Sequence, residues 1–295
     1  LESDVAIIGC GPAGIQAAIH AARRKVRTVL IGHPEKSALH GTEVENYFGV
    51  RRTEGRRLLT IGVEQAREFG ARLLNQDVIK LERTENGFKV ITDHDEQILT
   101  KSLILAPGVT REKLGIEGEK EFLGRGVSYC ASCDCNFFRG RKVAVVGDGS
   151  VAASAALLLT DYASNVYWIA KQPDVAGPMM DKVRVSSVEM IMPAIPRRIV
   201  GDQMVTGLEL EDGRMLEVSG VFIELGARSS MELALDVDIV PDPSGRIKVD
   251  TDCRTEVEGI FACGDATGPP WQLAKAVGEG CVAGTNAAML VKGMG

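Results

Sequence analysis

The sequence predicts an α/β protein made of two doubly wound domains, the second inserted into the first. Three observations carry this. A short apolar run at the N-terminus enters a glycine-rich turn and then a helical pattern; the same order recurs from Lys142; and a glycine-terminated strand, Gly259-Ile260-Phe261-Ala262-Cys263-Gly264-Asp265, lies beyond that second copy. A repeated βα unit of this kind implies largely parallel sheets covered by helices. The 295 residues suit two domains on a prior of ~150 residues each.

The first copy is Val5-Ala6-Ile7-Ile8, then Gly9-Cys10-Gly11-Pro12-Ala13-Gly14, then a helical pattern over residues 15–23. Strand, G-x-G-x-x-G and helix in this order form the Rossmann-like dinucleotide-binding fingerprint. Gly9 permits the tight turn, Gly11 lets the backbone approach a pyrophosphate, and Gly14 allows the helix to pack closely on the strand. The first-turn amides and the helix dipole then face the anion. Val29-Leu30-Ile31 is the next strand. It should end at an acid for an adenosine ribose, yet Gly32-His33-Pro34 follows and Glu35 is the nearest carboxylate. Leu103-Ile104-Leu105-Ala106-Pro107-Gly108 closes this part as an apolar strand ending at glycine.

The second copy runs Lys142-Val143-Ala144-Val145-Val146 into Gly147-Asp148-Gly149-Ser150-Val151-Ala152 and an Ala/Leu-rich helix, and Val221-Phe222-Ile223-Glu224-Leu225-Gly226 is its own glycine-terminated strand. The expected organisation is therefore a dinucleotide domain over residues 1–112, a second domain over 113–237, and the rest of the first domain over 238–295.

Composition narrows the function. The formal charge is −6 with a pI near 5.4, and no Lys/Arg block is long enough to track a phosphate backbone, so nucleic acid is not an expected partner. The longest apolar stretches, around residues 143–147 and 151–159, fall well short of the ~20 residues of a membrane span. No basic and apolar leader precedes the first strand, so the expected location is the cytoplasm, where the thiols of the seven cysteines stay free unless they do redox work.

With these motifs in order, the chain resembles the low-molecular-weight thioredoxin reductases, within the two-dinucleotide-fold flavoprotein disulfide reductases. The resemblance runs nearly end to end. It rests on the N-terminal fingerprint, Glu43-Val44-Glu45-Asn46-Tyr47, Cys130-Ala131-Ser132-Cys133-Asp134, Phe261-Ala262-Cys263-Gly264-Asp265, and the stretch from Gln272-Leu273-Ala274 to Gly280. It implies an FAD-dependent enzyme. Gly9, Gly11 and Gly14, with Pro12 and Ala13 in the same turn, would hold the FAD pyrophosphate. Asp265 after Gly264 would bond the ribityl–phosphate region, and Asn46 would lie near the isoalloxazine ring. The helix opening near Gln272, Leu273 and Ala274 would aim amides at the pyrimidine edge, a pre-organised electrostatic role. The resemblance also implies a homodimer acting on thioredoxin or a thioredoxin-like protein.

The segment Ser128-Tyr129-Cys130-Ala131-Ser132-Cys133-Asp134-Cys135 concentrates three cysteines. A metal site needs about four ligands, and no paired Cys or His motif elsewhere completes one. Cys-x-x-Cys places two sulfurs within one turn, where a helix N-terminus lowers a thiol pKa and helps a thiolate leave. By family match, Cys133 would receive electrons from the flavin, Cys130 would attack the disulfide of the protein substrate, and Asp134 would be the general acid–base. Cys135 departs from the family pattern, and its part stays open. Cys10, Cys263 and Cys281 read as packing residues, and His20, His33, His40 and His94 as surface or packing residues.

The second domain departs from relatives that bind NADPH. Asp148 puts a negative charge where a pyrophosphate would sit. After the strand Asn165-Val166-Tyr167-Trp168-Ile169 the 2′-phosphate-clamping arginines are missing, and Lys171 is the one charge on offer. NADPH is therefore expected to be a poor donor. Some relatives without these arginines take electrons from reduced ferredoxin or a reduced deazaflavin, and others hold a second flavin, so these donors and that second flavin remain open, with Trp168 and Trp271 as stacking platforms or packing residues. Residues 114–118 and 226–230 are the expected hinges. The competing reading is a redox sensor that uses the dithiol as a switch and FAD as a structural prop.

Overall fold

Alternation along the first strand decides which way the chain is covered. In Glu2–Ile8, Val5 and Ile7 belong to one apolar cluster and Ala6 and Ile8 to another, so this strand is buried on both faces. The computed structural model describes residues 1–108, 113–226, 230–242 and 244–293. It divides into two compact units, one comprising Leu1–Thr92, Glu96–Thr110 and Arg228–Gly295, the other Asp93–Asp95 and Arg111–Ala227.

The sheet of the first unit has the order Arg72–Leu74, Thr28–Ile31, Glu2–Ile8, Gln97–Leu105, Gly87–Thr92, Val78–Thr84. Gln97–Leu105 is shared: its first residues pair with Gly87–Thr92, and its last three pair in parallel with Ile260–Ala262. The helices Pro12–Arg23 and Leu273–Val291 contribute to the same apolar cluster. They approach closely because Gly280 and Gly284 face Ala13 and Ala17, where a Cβ would lie 2.2 and 2.3 Å from the carbonyl oxygens. The chain returns to this unit earlier than residue 238. Leu233, Ala234 and Val237 are buried with Ile98, Leu103 and Ile260, so apolar packing draws the helix Ser230–Leu235 into the first core.

The second unit has a fully parallel sheet, in the order Glu189–Ile191, Asn165–Ile169, Lys142–Val146, Gly220–Ile223, Val127–Ser128, and a three-stranded antiparallel sheet, Pro196–Gly201, Val205–Leu210 and Met215–Glu217. The strands Glu2–Ile8 and Lys142–Val146 stop in the same way. Gly9 and Gly147 both have positive φ, and a Cβ at either would come within 2.1 Å of Ala106 O or 2.2 Å of Glu224 O. Residues 114–118, expected as a hinge, are tied into this unit: Leu114 and Gly115 donate to Glu119, and Ile199 N donates to Glu117 O. Of the other expected hinge, residues 227–229 lie outside the described residues. Among the described residues, no helix is long and apolar enough to cross a membrane, and no group of three or more His, Cys, Asp or Glu could hold a metal ion.

Candidate active site

In the first unit the helix Pro12–Arg23 starts from Gly11 with no capping side chain, Pro12 in its first turn and no acidic residue there. Its leading amides have no intrahelical acceptor and suit an anion. The turn is closed on one side only. A Cβ at Gly14 would come 1.8 Å from Gly9 O, whereas at Gly11 the nearest atom is Ser37 Oγ at 3.4 Å. That is a cradle a side chain at Gly11 would fill, and it fits the pyrophosphate of FAD.

Other expected flavin contacts meet from distant parts of the chain. Asn46 Nδ2 donates to Gln272 Oε1 at 3.1 Å across 226 residues of sequence. Gln272 precedes Leu273 and Ala274, which open the helix Leu273–Val291, again without a capping side chain. Asp265 lies in the short turn Gly264–Thr267; burial raises its carboxyl pKa, Lys275 pulls it back down, and Glu279 adds to the rise. Lys275 and Glu279 escaped the sequence reading. Lys275 Nζ donates to Gly264 O (2.7 Å), Thr267 Oγ1 (2.7 Å) and Gly268 O (2.8 Å), and pairs with Glu279 at 3.1 Å. Glu279 Oε2 accepts from Gly264 N at 2.9 Å. Their i, i+4 spacing on one helix face was the available signal. Glu35, the carboxylate nearest the second strand, pairs with His33 at 3.3 Å, while His33 and Lys36 reach Asp77 at 3.7 and 2.8 Å.

In the second unit Cys130 and Cys133 form a disulfide, with Cα atoms 5.3 Å apart. Cys130 caps the four-residue helix Ala131–Asp134, and its Sγ accepts from Cys133 N at 3.2 Å. The local order depends on Ser128: its Oγ accepts from Cys130 N at 3.0 Å and donates to Asp134 Oδ2 at 2.6 Å. Tyr129, between them, donates its hydroxyl to the buried Glu119 at 2.6 Å. Cys130 is buried and Cys133 half-buried. Cys135 is buried too, with its thiol toward Ser132 O at 3.7 Å and a hydrogen bond to Tyr162 that raises the phenol pKa.

Of the remaining thiols, Cys10, Cys253 and Cys263 are chemically quiet. Burial pushes Cys253 up to about 12 and raises Cys10 and Cys263 well above the ordinary thiol range. Cys281 is half-buried beside His20 Nδ1 at 3.7 Å. Iodoacetamide at neutral pH should therefore label Cys281 in the native protein and spare Cys10, Cys253 and Cys263. Peptide mass spectrometry reads this directly, and labelling of Cys263 as fast as Cys281 would contradict it.

The second glycine turn is built differently from its sequence expectation. Asp148 Oδ1 accepts from Lys171 N at 2.7 Å and Gln172 N at 3.4 Å, and Asp148 O accepts from Asp174 N at 2.7 Å. Gly149 and Asp174 form a β-bridge. Asp148 is thus turned toward the amides that follow the strand Asn165–Ile169, and the stretch from Lys171 to Asp174 is stitched onto the glycine turn. Trp168 is a packing residue, fully buried with Nε1 donating to Gly147 O at 2.8 Å; Trp271 is 57% exposed.

Comparison with known proteins agrees with this geometry. The family model described as pyridine nucleotide-disulphide oxidoreductase matches residues 3–280. The thioredoxin reductase of Aquifex aeolicus (strain VF5) is 36% identical over 273 residues, 89% of this chain and 84% of that protein. The chain belongs to the thioredoxin reductases. The reductase is accordingly an FAD-dependent disulfide oxidoreductase. That of Listeria monocytogenes (serovar 1/2a, strain EGD-e) is 35% identical over 98% of this chain and 94% of its own. Among solved structures, the atypical thioredoxin reductase of Desulfovibrio vulgaris Hildenborough matches with a TM-score of 0.84 at 33% identity, over 98% of both chains. A ferredoxin-flavin thioredoxin reductase from Clostridium acetobutylicum matches with a TM-score of 0.69 at 33% identity, over 99% of both.

Proposed function

We propose that this reductase passes electrons from FAD to the Cys130–Cys133 pair and on to the disulfide of a thioredoxin or thioredoxin-like protein, with NADPH a poor donor. The observation that carries the reading is the disulfide itself, closed across one helical turn with a Ser128–Asp134 hydrogen bond beside it. FAD, when bound, supplies the electron pair that opens the disulfide. Gly9, Gly11, Pro12, Ala13 and Gly14 would hold its pyrophosphate, Gly264 and Asp265 would take the ribityl–phosphate region, and Asn46, Gln272, Leu273 and Ala274 would lie near the ring. Opening the disulfide takes two electrons and two protons. Cys133 is the sulfur that faces the flavin, the S–S bond breaks to leave one reduced sulfur and one proton on each cysteine, Asp134 is the group that holds and returns a proton, and Cys130 is the nucleophile toward the external disulfide.

The donor assignment is supported by the second glycine turn. A nucleotide laid across it would have to displace the Asp148 bonds to Lys171 and Gln172 and the bridge from Gly149 to Asp174. It would also find no arginine in the segment Ala170-Lys171-Gln172-Pro173-Asp174 that directly follows the strand Asn165–Ile169. Each loss is worth on the order of 1–3 kcal/mol, so affinity for NADPH should fall ~100-fold or more. The likeness to the Clostridium ferredoxin-flavin enzyme favours reduced ferredoxin as the donor. Anaerobic titration of the flavin absorbance with NADPH, NADH and reduced ferredoxin in separate cuvettes tests this. Bleaching by ferredoxin alone is expected; fast, saturable reduction by micromolar NADPH would sink the donor assignment.

A further inference from the structure

The strand Gly220–Ile223 runs directly into Glu224, a carboxylate inside the otherwise apolar run Val221-Phe222-Ile223-Glu224-Leu225. Glu224 is 4% exposed. Its backbone is fixed from two directions: its N–H donates to Val146 O at 2.9 Å, and its carbonyl lies against Gly147, where a Cβ would come within 2.2 Å. From this anchored position the side chain reaches the redox turn. Its Oε1 accepts from Ala131 N at 2.8 Å, across 93 residues of sequence. Ala131 follows Cys130 directly, so a carboxylate is held one peptide away from the disulfide.

Three amides of this turn donate to side chains. Cys130 N goes to Ser128 Oγ, Ala131 N to Glu224, and Cys133 N to Cys130 Sγ. Reduction takes two electrons and one or two protons, according to how far the reduced pair ionises, so the reduced state carries thiolate character on sulfur. Amides at the start of a helical turn favour that thiolate. A carboxylate drawn onto one of the same amides opposes it, because a second negative charge is brought close in a water-poor site. We infer that Glu224 is a positioning residue that lowers the reduction potential of the Cys130–Cys133 pair, favouring the closed disulfide and making the dithiol a stronger reductant toward a protein disulfide.

The test is the redox midpoint of the pair in the holoenzyme. Parent and Glu224→Gln are equilibrated in buffers of oxidised and reduced dithiothreitol, quenched with a thiol-reactive mass tag, and the tagged fraction of Cys130 and Cys133 is counted by peptide mass spectrometry. Glutamine keeps an acceptor for Ala131 N and removes the charge. The equilibrium should move about tenfold toward the dithiol, equivalent to about 30 mV for a two-electron couple. Glu224→Asp, which keeps the charge, should stay within about threefold of the parent. A Gln variant at the parental midpoint, or an Asp variant shifted as far as the Gln variant, overturns the inference. If Glu224→Gln does not accumulate as a folded flavoprotein, Glu224→Ala is read by the same criteria. The inference rests on Cys130 and Cys133 being the working pair; failure of that reading would appear separately, as turnover surviving in Cys130→Ser.

Discussion

Replacing Cys130 by serine should lower turnover with a thioredoxin-type disulfide by on the order of 10⁴-fold or more, while the donor reduces the flavin as fast as in the parent. The thiolate is the nucleophile in disulfide exchange, and a serine hydroxyl at neutral pH cannot replace it. The substitution should leave the turn in place, because serine at position 130 still caps Ala131–Asp134 and can accept the amide of Cys133 that Cys130 Sγ accepts at 3.2 Å. Cys133→Ser should abolish turnover at the same point, because either substitution removes the disulfide that accepts the flavin's electrons. Stopped-flow flavin absorbance follows reduction by the donor in both variants, and thioredoxin-coupled disulfide reduction measures turnover. Survival of turnover in Cys130→Ser would show that Cys130 is not the nucleophile toward the external disulfide.

Gly14→Ala is the second large effect. The added Cβ would lie 1.8 Å from Gly9 O, and both obstructing atoms belong to backbone that the strand Glu2–Ile8 and the helix Pro12–Arg23 hold fixed. The helix must back away from the strand, which opens the pyrophosphate cradle as it unpacks the core. We expect FAD to be lost or bound ~100-fold more weakly, and the thermal midpoint to fall by about 10 °C. Gly149→Ala is the matched control. It occupies the analogous turn of the second unit, has φ −94°, and meets nothing within 4 Å, so flavin content and melting should be those of the parent. The absorbance ratio of flavin to protein and a melting curve on both variants decide it; full flavin content in Gly14→Ala would contradict the cradle.

Much of this architecture was readable from short-range pattern. The glycines at 9, 11 and 14, the Cys-x-x-Cys, and the apolar runs that become Glu2–Ile8 and Lys142–Val146 declare themselves within a few residues, because a tight turn or a buried strand restricts neighbouring positions together. What stayed hidden depends on contacts between distant segments. Glu119 under Tyr129, Lys275 and Glu279 around Gly264, and Glu224 on Ala131 are ordinary charged residues until the fold brings their partners in. Asp148 was visible, but its direction was not: the sequence placed a charge at the turn, and only the path of the chain from Lys171 to Asp174 turns that charge to the neighbouring amides. The return to the first unit was expected at residue 238, although Leu233 and Ala234 are already buried there, because nothing local distinguishes them from residues of the second core.

The strand Gln97–Leu105 carries a consequence for the order of biosynthesis. Its far end stays unpartnered along one edge until Ile260–Ala262 arrives, more than 150 residues later, and the helix Leu273–Val291 comes later still. The unit holding the redox disulfide lies almost wholly between these two halves. As the chain leaves the ribosome, that unit can therefore complete its parallel sheet while the half-built flavin unit still waits for its last strand, with its apolar edge open to chaperones and to wrong partners.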